Sequence, residues 1–499
     1  MKTPDYSRLN PELCGGFRQK AADIGGGLAT AATCAEGRGR ARTEIPGKSF
    51  PGRFGARWSV FCFLVLLAGC VTQRIVWSPD GKQAAVIAGD DLYLCDPEGN
   101  LSSRLLSQVS IVAWFRDSRR LAIARGESCT NWIQLAAALS PQTIESIRRS
   151  GAELLSKLQS GDPNEILAAE NRTGEKELVA ARLLFLRDED HGAALKLLKD
   201  APQLKDLKAN LSTLVVARVD NGHLEVGPVL AAEIGNIEEV RVSPNAAAIA
   251  YTVSPGEVTR LSVVDVNGGQ PARVVATPAA VYPDWSPDGN SLVYITAANT
   301  NSGAADVTLA VLARRRVVNE NGRVEIHGTQ DELAGLLFNG LARVRCLRDG
   351  RILFASEEWR LPVTTNDLPQ RQQLFALDPE RQSTLTRLVP HGTQEQLPAS
   401  LAYFEVSPDE KRVAVGGDKS MVAVFTLASG NVELVQAGTD TDLKSIPCWR
   451  SATELCYIAV QTANTNQHRA DVALWQDGKT RLISQRWPES VRKGLLDQN

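Results

Sequence analysis

From residue 74 onward the chain reads as short runs in which apolar and polar positions alternate, each run closed by Gly, Pro, Asp or Asn. Segments such as "SLVYI" at 291–295 and "RVAVG" at 412–416 show the two-residue period of a half-buried strand. The runs group into units: an apolar or aromatic residue, a turn, an alternating strand, and often a second strand with an Asp-containing hairpin. Seven such units begin at Ile75, Ile111, Val240, Tyr282, Arg343, Phe404 and Ile446. Two contain the same five residues, Trp77-Ser78-Pro79-Asp80-Gly81 and Trp285-Ser286-Pro287-Asp288-Gly289, and a third keeps Ser407-Pro408-Asp409. The chemistry of that string is a turn. Pro presets φ for a type I turn, Ser and Asp bond nearby backbone, and Gly supplies the left-handed residue that closes it. A turn that recurs among similar neighbours marks a recurring structural unit. One small sheet cannot bury both its faces, but sheets stacked radially cover one another and leave only short edges.

The pattern changes between "LAIARG" and "LSTLVVARVDNGHLEV". In "SPQTIESIRRSGAELLSKLQSGD", Ser140 stands where a helix N-cap belongs and Pro141 at the first helical position, with Ile144, Ile147, Leu154 and Leu155 near helical spacing. "KELVAARLLFLRDEDHGAALKLLKD" predicts a helix with Leu178, Ala181, Leu184 and Phe185 on its apolar stripe, a break near Asp188–Gly192, and a second helix. Residues 130–208 are therefore expected as a helical insertion, after which a strand pair from Leu214 to Val226 completes the second unit. A smaller insertion, Val324–Gly340, is expected to add a strand and a short helix before the fifth.

The units resemble the WD40-like repeat of TolB-type β-propellers, whose hallmark is a "WSPDG" turn followed by an apolar strand. The match covers most of 74–484; it is close at Trp77, Trp285 and Ser407-Pro408-Asp409, and degenerate in the second, fifth and seventh units. The resemblance implies an all-β propeller over 71–484. About seven four-stranded blades are expected, with six to eight compatible, and the helical insertion falls in the second. Residues 485–499 form a tail. Trp77, Trp114, Trp285 and Trp449 mark the strand before each blade's turn and are expected in the core.

The N-terminus changes the picture of where the protein works. Residues 1–57 are rich in Gly, Ala and Arg, lack hydrophobic periodicity, and are not expected to fold. Arg53 and Arg57 then precede a short apolar run, residues 58–69, which reads as the core of a secretory signal. Leu67-Ala68-Gly69-Cys70 resembles the lipobox of bacterial lipoproteins, which implies cleavage before Cys70, acylation of its thiol and its new amino group, and stable attachment to a membrane. The alternative is an ordinary signal or buried helix with a chance Cys. The segment before Cys70 is long for a signal, and the only methionines are Met1 and Met421, so no later Met codon supplies a shorter start. Val71, where an inner-membrane retention signal would have Asp, points to the outer membrane of a diderm cell and its periplasmic face.

Charge and chemistry narrow the function. Lys and Arg number 55 against 57 Asp and Glu, and the chain beyond residue 70 stands at 45 against 52, which argues against nucleic acid as a partner. Cysteines 95, 129, 346, 448 and 456 form an odd set without zinc spacing. Cys448 and Cys456 flank a hairpin turn and read either as a disulfide pair in an oxidising compartment or as isolated buried thiols. No GxSxG, HExxH, Walker loop or strand-linked GxGxxG occurs. Gly89–Asp91 and Asp265–Gly269 could look like cation ligands, but such acidic turns are far more often hairpin tips, and they are read as such. No catalytic residue, cofactor or metal ligand is assigned. The reading is a lipid-anchored, non-catalytic propeller that binds or assembles envelope proteins on its face or in its axial funnel. The alternatives are a metal-dependent hydrolase or lyase using that funnel, and a small-ligand sensor.

Overall fold

The computed structural model describes residues 73–189, 206–220, 222–256, 259–277, 281–297, 308–320, 322–338, 343–357, 372–381, 384–388, 401–417, 422–435, 441–443, 446–461 and 469–496. Cys70 and the signal core lie outside them.

The described strands form seven antiparallel sheets, the blades of a propeller. Blade 1 holds β1 (Ile75–Trp77), β2 (Ala84–Ala88) and β3 (Asp91–Cys95); blade 2 holds β4 (Val109–Trp114), β5 (Arg120–Cys129), β6 (Ala209–Asp220) and β7 (His223–Ile234). Blade 3 comprises β8 (Asn236–Val242), β9 (Ala248–Ser254), β10 (Arg260–Asp265) and β11 (Arg273–Ala276). Blade 4 comprises β12 (Val281–Trp285), β13 (Ser291–Ala297), β14 (Thr308–Glu320) and β15 (Arg323–Phe338). Blade 5 runs through β16 (Val344–Cys346), β17 (Ile352–Glu357), β18 (Gln372–Asp378) and β19 (Thr384–Arg387). Blade 6 runs through β20 (Leu401–Val406), β21 (Arg412–Gly417), β22 (Val422–Thr426) and β23 (Val432–Val435). Blade 7 pairs β24 (Thr441–Leu443) and β25 (Cys448–Trp449) with β26 (Leu455–Gln461), followed by β27 (Arg469–Gln476) and β28 (Lys479–Leu482). In blade 1 the fourth position is taken by an irregular segment that touches β3 through the bridges Cys95–Leu101 and Leu92–Leu106.

The reason for the ring is visible in where the apolar residues go. Seven hydrophobic clusters each straddle two successive blades. Leu92, Trp114, Leu121 and Val215 join blades 1 and 2; Trp77, Val86, Cys456 and Val472 join blades 7 and 1. At ~1.5–3 kcal/mol for each large side chain fully removed from water, the joints are the main source of cohesion. Both faces of a blade meet a neighbour, so "SLVYI" is buried on both sides rather than half-buried: Leu292 and Tyr294 enter the joint of blades 3 and 4, and Val293 and Ile295 that of blades 4 and 5.

An eighth cluster lies under the helices α1 (Trp132–Ala138), α2 (Pro141–Ser160), α3 (Pro163–Asn171) and α4 (Lys176–Asp188), inserted between β5 and β6. Ser140 Oγ accepts the Thr143 N–H at 3.1 Å and Pro141 opens α2; Asp162 and Pro163 repeat the device for α3. Ile147, Gly151, Leu154 and Leu158 make the buried face of α2. Gly151 lets α4 come close, since a Cβ there would stand 2.8 Å from the Phe185 ring. The second helix expected after Asp188 falls outside the described residues. A fifth helix, α5 (Glu489–Gly494), packs on β2 and β27.

One expectation is corrected. Where a strand and a short helix were expected over Val324–Gly340, the described part of the segment is the single strand β15, paired with β14 from Glu320–Arg323 to Thr308–Phe338. Helix propensities differ by only tenths of a kcal/mol per residue, and a helix this short is marginal alone. A long ladder against β14, broken only by bulges at Leu312/Ala313 and Arg314/Arg316, outweighs both.

Candidate functional site along the ring axis

The first strand of each blade, and β25 in blade 7, lie innermost: β1 packs on β4, β4 on β8, β8 on β12, β12 on β16, β20 on β25, and β25 on β1. Superposing the units on their turns puts one residue per blade in the same place, immediately before the Trp position. These residues are Val76, Ala113, Arg241, Asp284, Arg345, Glu405 and Cys448. Two residues earlier stands a second tier: Arg74, Ile111, Glu239, Tyr282, Arg343, Tyr403 and Ile446. Bulges fall at or next to this tier in blades 2, 3, 4 and 6, between Val109/Ile111, Ile237/Glu239, Val281/Asp284 and Leu401/Tyr403. A bulge re-aims the side chains that follow it.

The lining is divided. Blades 3 to 6 contribute charges of alternating sign, while blades 7, 1 and 2 contribute Cys448, Val76 and Ala113. Glu405 is the centre of the charged half. Arg345 Nη2 donates to its Oε1 at 2.8 Å, and Arg343 Nη1 bonds the same oxygen. Burial alone would raise the Glu405 carboxyl, but Arg345, Arg343 and Arg241 more than offset this and hold it below the usual carboxylate range. Arg343 and Arg345 are only 3% and 8% exposed. The Arg343 guanidinium also lies 5.6 Å from the Tyr282 ring centroid. Asp284 Oδ2 accepts the Cys346 N–H at 2.9 Å, joining blades 4 and 5. Arg241 Nη2 lies 2.5 Å from Glu239 Oε1. Three carboxylates and three guanidinium groups thus face one another, which offers an added cation little net negative charge. Among the described residues no group of three or more His, Cys, Asp and Glu is placed to hold a metal ion.

The turns named from sequence lie in separate blades at one end of the ring and do not form one site. Their geometry repeats: Ser78, Ser286 and Ser407 each donate to the Asp two residues on at 2.6 Å, and each Oγ accepts the N–H five residues on. Burial opposes ionisation of Asp80, Asp288 and Asp409, yet these serine and backbone bonds keep all three carboxyls below their ordinary range. Pro79 and Pro287 sit at the turn corners, and Gly81 and Gly289 have φ of +68° and +73°. Pro408 accepts a bond from Arg348 of the preceding blade through its carbonyl, at 2.8 Å. Trp77 and Trp285 are buried, as expected of core residues. Three of the four Trp residues reach across a joint: Trp114 Nε1 donates to Val76 O, Trp285 to Arg241 O and Trp449 to Glu405 O, at 2.8–3.0 Å. Sequence reasoning missed the axial charges. The signal was present as the column formed when the repeats are superposed.

In an antiparallel blade the first and third connections share one end and the second lies at the other, so the helices sit at the end opposite the turns. Two concavities of about 410 and 290 Å³ lie on this helical module. The first is an open groove along α2 at Gln142, Glu145 and Arg149; the second is bridged by Lys157–Glu170 and Arg182–Glu170 at 2.7 and 3.1 Å.

Comparison with protein-family models finds no match, and comparison with curated proteins finds none. Among solved structures the chain is similar to TolB from Acinetobacter baumannii, at 20% identity and TM-score 0.36 over 54% of this chain and 59% of that one. It is similar to the β-propeller domain of Cps50 (Swd1) from Myceliophteria thermophila, at 10% identity and TM-score 0.43 over 81% and 95%. It is also similar to an oligogalacturonate lyase in complex with manganese, at 13% identity and TM-score 0.37 over 72% and 75%.

Proposed function

We propose that the protein is a lipid-anchored, non-catalytic propeller that binds or assembles other proteins at the cell envelope, held to the membrane through acylated Cys70. The observation that carries the binding role is the helical module. Four helices, packed over a core that Cys129, Ala209, Leu211 and Ile234 of blade 2 complete, stand on a connection that in blade 1 is only the Gly89–Asp90 turn between β2 and β3. The blade itself does not require them, because β5 and β6 pair directly from Arg120–Arg218 to Cys129–Ala209. The axis supports the same reading from the other side, since Arg343 and Arg345 of blade 5 are paired with Glu405 of blade 6, and Arg241 with Glu239 within blade 3. The anchor rests on the Leu67-Ala68-Gly69-Cys70 sequence.

Two measurements test this. Intact mass and membrane fractionation of the native protein, beside Cys70→Ala, should show a chain beginning at acylated Cys70 and a variant released from the membrane. A native chain that keeps residues 1–69, or stays soluble, defeats the anchor. Crosslinking in intact cells should then give partner adducts that disappear when residues 130–208 are replaced by a short Gly-Ser linker. Adducts that persist on a folded ring would move the binding surface off the module.

A further inference from the structure

Three of the five described cysteines lie together in the cluster that joins blades 7 and 1. Cys448 and Cys456 are 6% and 0% exposed, and Cys95, at the end of β3, is 2% exposed. β25 and β26 are the two arms of one hairpin, and their register sets Cys448 directly opposite Cys456. Both are free thiols in this structure. Residues facing each other on antiparallel strands have Cα atoms about 4.5–5.5 Å apart, inside the range of about 4.4–6.8 Å that a disulfide requires. Cys95 approaches from the neighbouring blade, but its Sγ is turned to the Asp96 carbonyl at 3.0 Å.

We propose that Cys448 and Cys456 are the site of a cross-strand disulfide within the blade 7 hairpin. The bond forms by exchange with a disulfide-bearing oxidant, a dithiol oxidase or glutathione disulfide. One thiolate attacks the oxidant and displaces a thiolate, giving a mixed disulfide. The second then attacks the protein sulfur of that bond. The two cysteine protons go to solvent, and the oxidant leaves as a reduced dithiol or two molecules of glutathione. The adjacent Cys456 thiol, and then burial, push the Cys448 thiol well above its ordinary range, so exchange is slow in the closed ring and proceeds while the hairpin is open during folding. Cys95, Cys129 and Cys346 remain thiols. The proposal stands whether or not Cys70 is acylated, because it depends only on the hairpin register and an oxidant.

The test is to unfold the reduced full chain, refold it in a glutathione redox buffer, block free thiols and digest without reductant. The expected product is one linked peptide pair, lighter by two hydrogens than its reduced parts and joining Cys448 to Cys456. It should appear unchanged in Cys95→Ser and be lost in Cys456→Ser. Oxidised wild type should also melt at a higher temperature than the same preparation after reduction. A refolded protein with every described thiol blocked overturns the proposal. So does a link between Cys95 and Cys456, which would instead bond blade 1 to blade 7.

Discussion

At position 246 the backbone is left-handed, with φ of +59°, and the residue is alanine. The same turn position is Gly81 in blade 1 and Gly289 in blade 4, but Ser118 in blade 2 and Glu410 in blade 6, and all keep φ between +56° and +73°. A side chain there costs ~1–2 kcal/mol, partly offset because glycine loses more freedom on folding. Ala246→Gly should therefore raise stability by roughly 0.5–1 kcal/mol, read from the midpoint of denaturant unfolding. Glu410→Gly should gain less, since Glu410 also accepts the Arg348 N–H at 3.0 Å from the turn of the preceding blade. The turn was legible in the letters WSPDG because its chemistry is local. Glu405 was not, because its partners Arg343 and Arg345 lie some sixty residues away and meet it only when the blades close. Removing one partner of a buried ion pair leaves the other charge unpaired, and Glu405→Gln should cost about 3–5 kcal/mol. The sign with pH follows from the depressed carboxyl. Its contribution is complete above the unfolded value of about 4.3 and is lost as pH falls through the lower folded value. The wild type should therefore lose stability more steeply than Glu405→Gln as acid is added below about pH 4. Parallel curves would remove Glu405 from the acid response.

Between blades the tryptophans make one element depend on the next. Trp285 Nε1 donates to Arg241 O at 3.0 Å, so Trp285→Phe takes away ring volume and also leaves a carbonyl of the inner wall without that donor. The homologous donor at the last joint, Trp77 Nε1, is buried without a hydrogen-bond partner. Trp77→Phe removes an unsatisfied group and strands no acceptor. The two substitutions delete the same atoms, so the difference reports the cross-joint bond, reduced by whatever Trp77 loses of its contact with the Arg450 guanidinium, 5.6 Å from the ring centroid. Trp285→Phe should be the more destabilising by about 1–3 kcal/mol in equilibrium unfolding. Equal losses would mean that the indole acts through volume alone. Elements with a local signature were the readable ones. Ser140-Pro141 starts α2 at the residue where the sequence places it, and Ile147 and Leu154 face inward as their spacing predicts. The stretch from Val324 was misread because its partner strand β14 decides its conformation, and a partner is not written into the segment itself.

At the scale of the whole ring, the first and last blades share no strand among the described residues: β1 to β3 come from the beginning of the ring and β24 to β28 from its end. Closure must therefore come from side chains and from α5. Arg450 Nε donates to Gly81 O at 3.1 Å, Arg481 Nη1 to Pro97 O at 2.8 Å and Trp487 Nε1 to Gly99 O at 2.8 Å. Gly494 accepts the Gly89 N–H through its carbonyl at 2.7 Å, and α5 can come that close only without a side chain. A Cβ at 494 would stand 2.7 Å from Gly89 N and 2.8 Å from Ala88 C, both backbone atoms that cannot step aside. Arg492 pairs with Asp471 at 2.7 Å, with both side chains nearly out of solvent. Periodicity reveals how many blades repeat, but it is silent on how the two ends meet, since these contacts join positions more than 350 residues apart and occur once. Truncation after Arg486 removes Trp487, Arg492 and the Gly494 carbonyl together. Leaving Asp471 without Arg492 alone should cost about 3–5 kcal/mol. The loss should be local before it is global. Amide exchange, followed by mass spectrometry, should accelerate first in β1 to β3 and in β26 to β28, while β12 to β15 keep their protection until the whole ring unfolds. Gly494→Val should reproduce that pattern more weakly, because the helix is present but held off β2. If exchange instead rises evenly around all seven blades, the ring is not closed at this joint, and the cohesion assigned to α5 belongs to the clusters between the other blades.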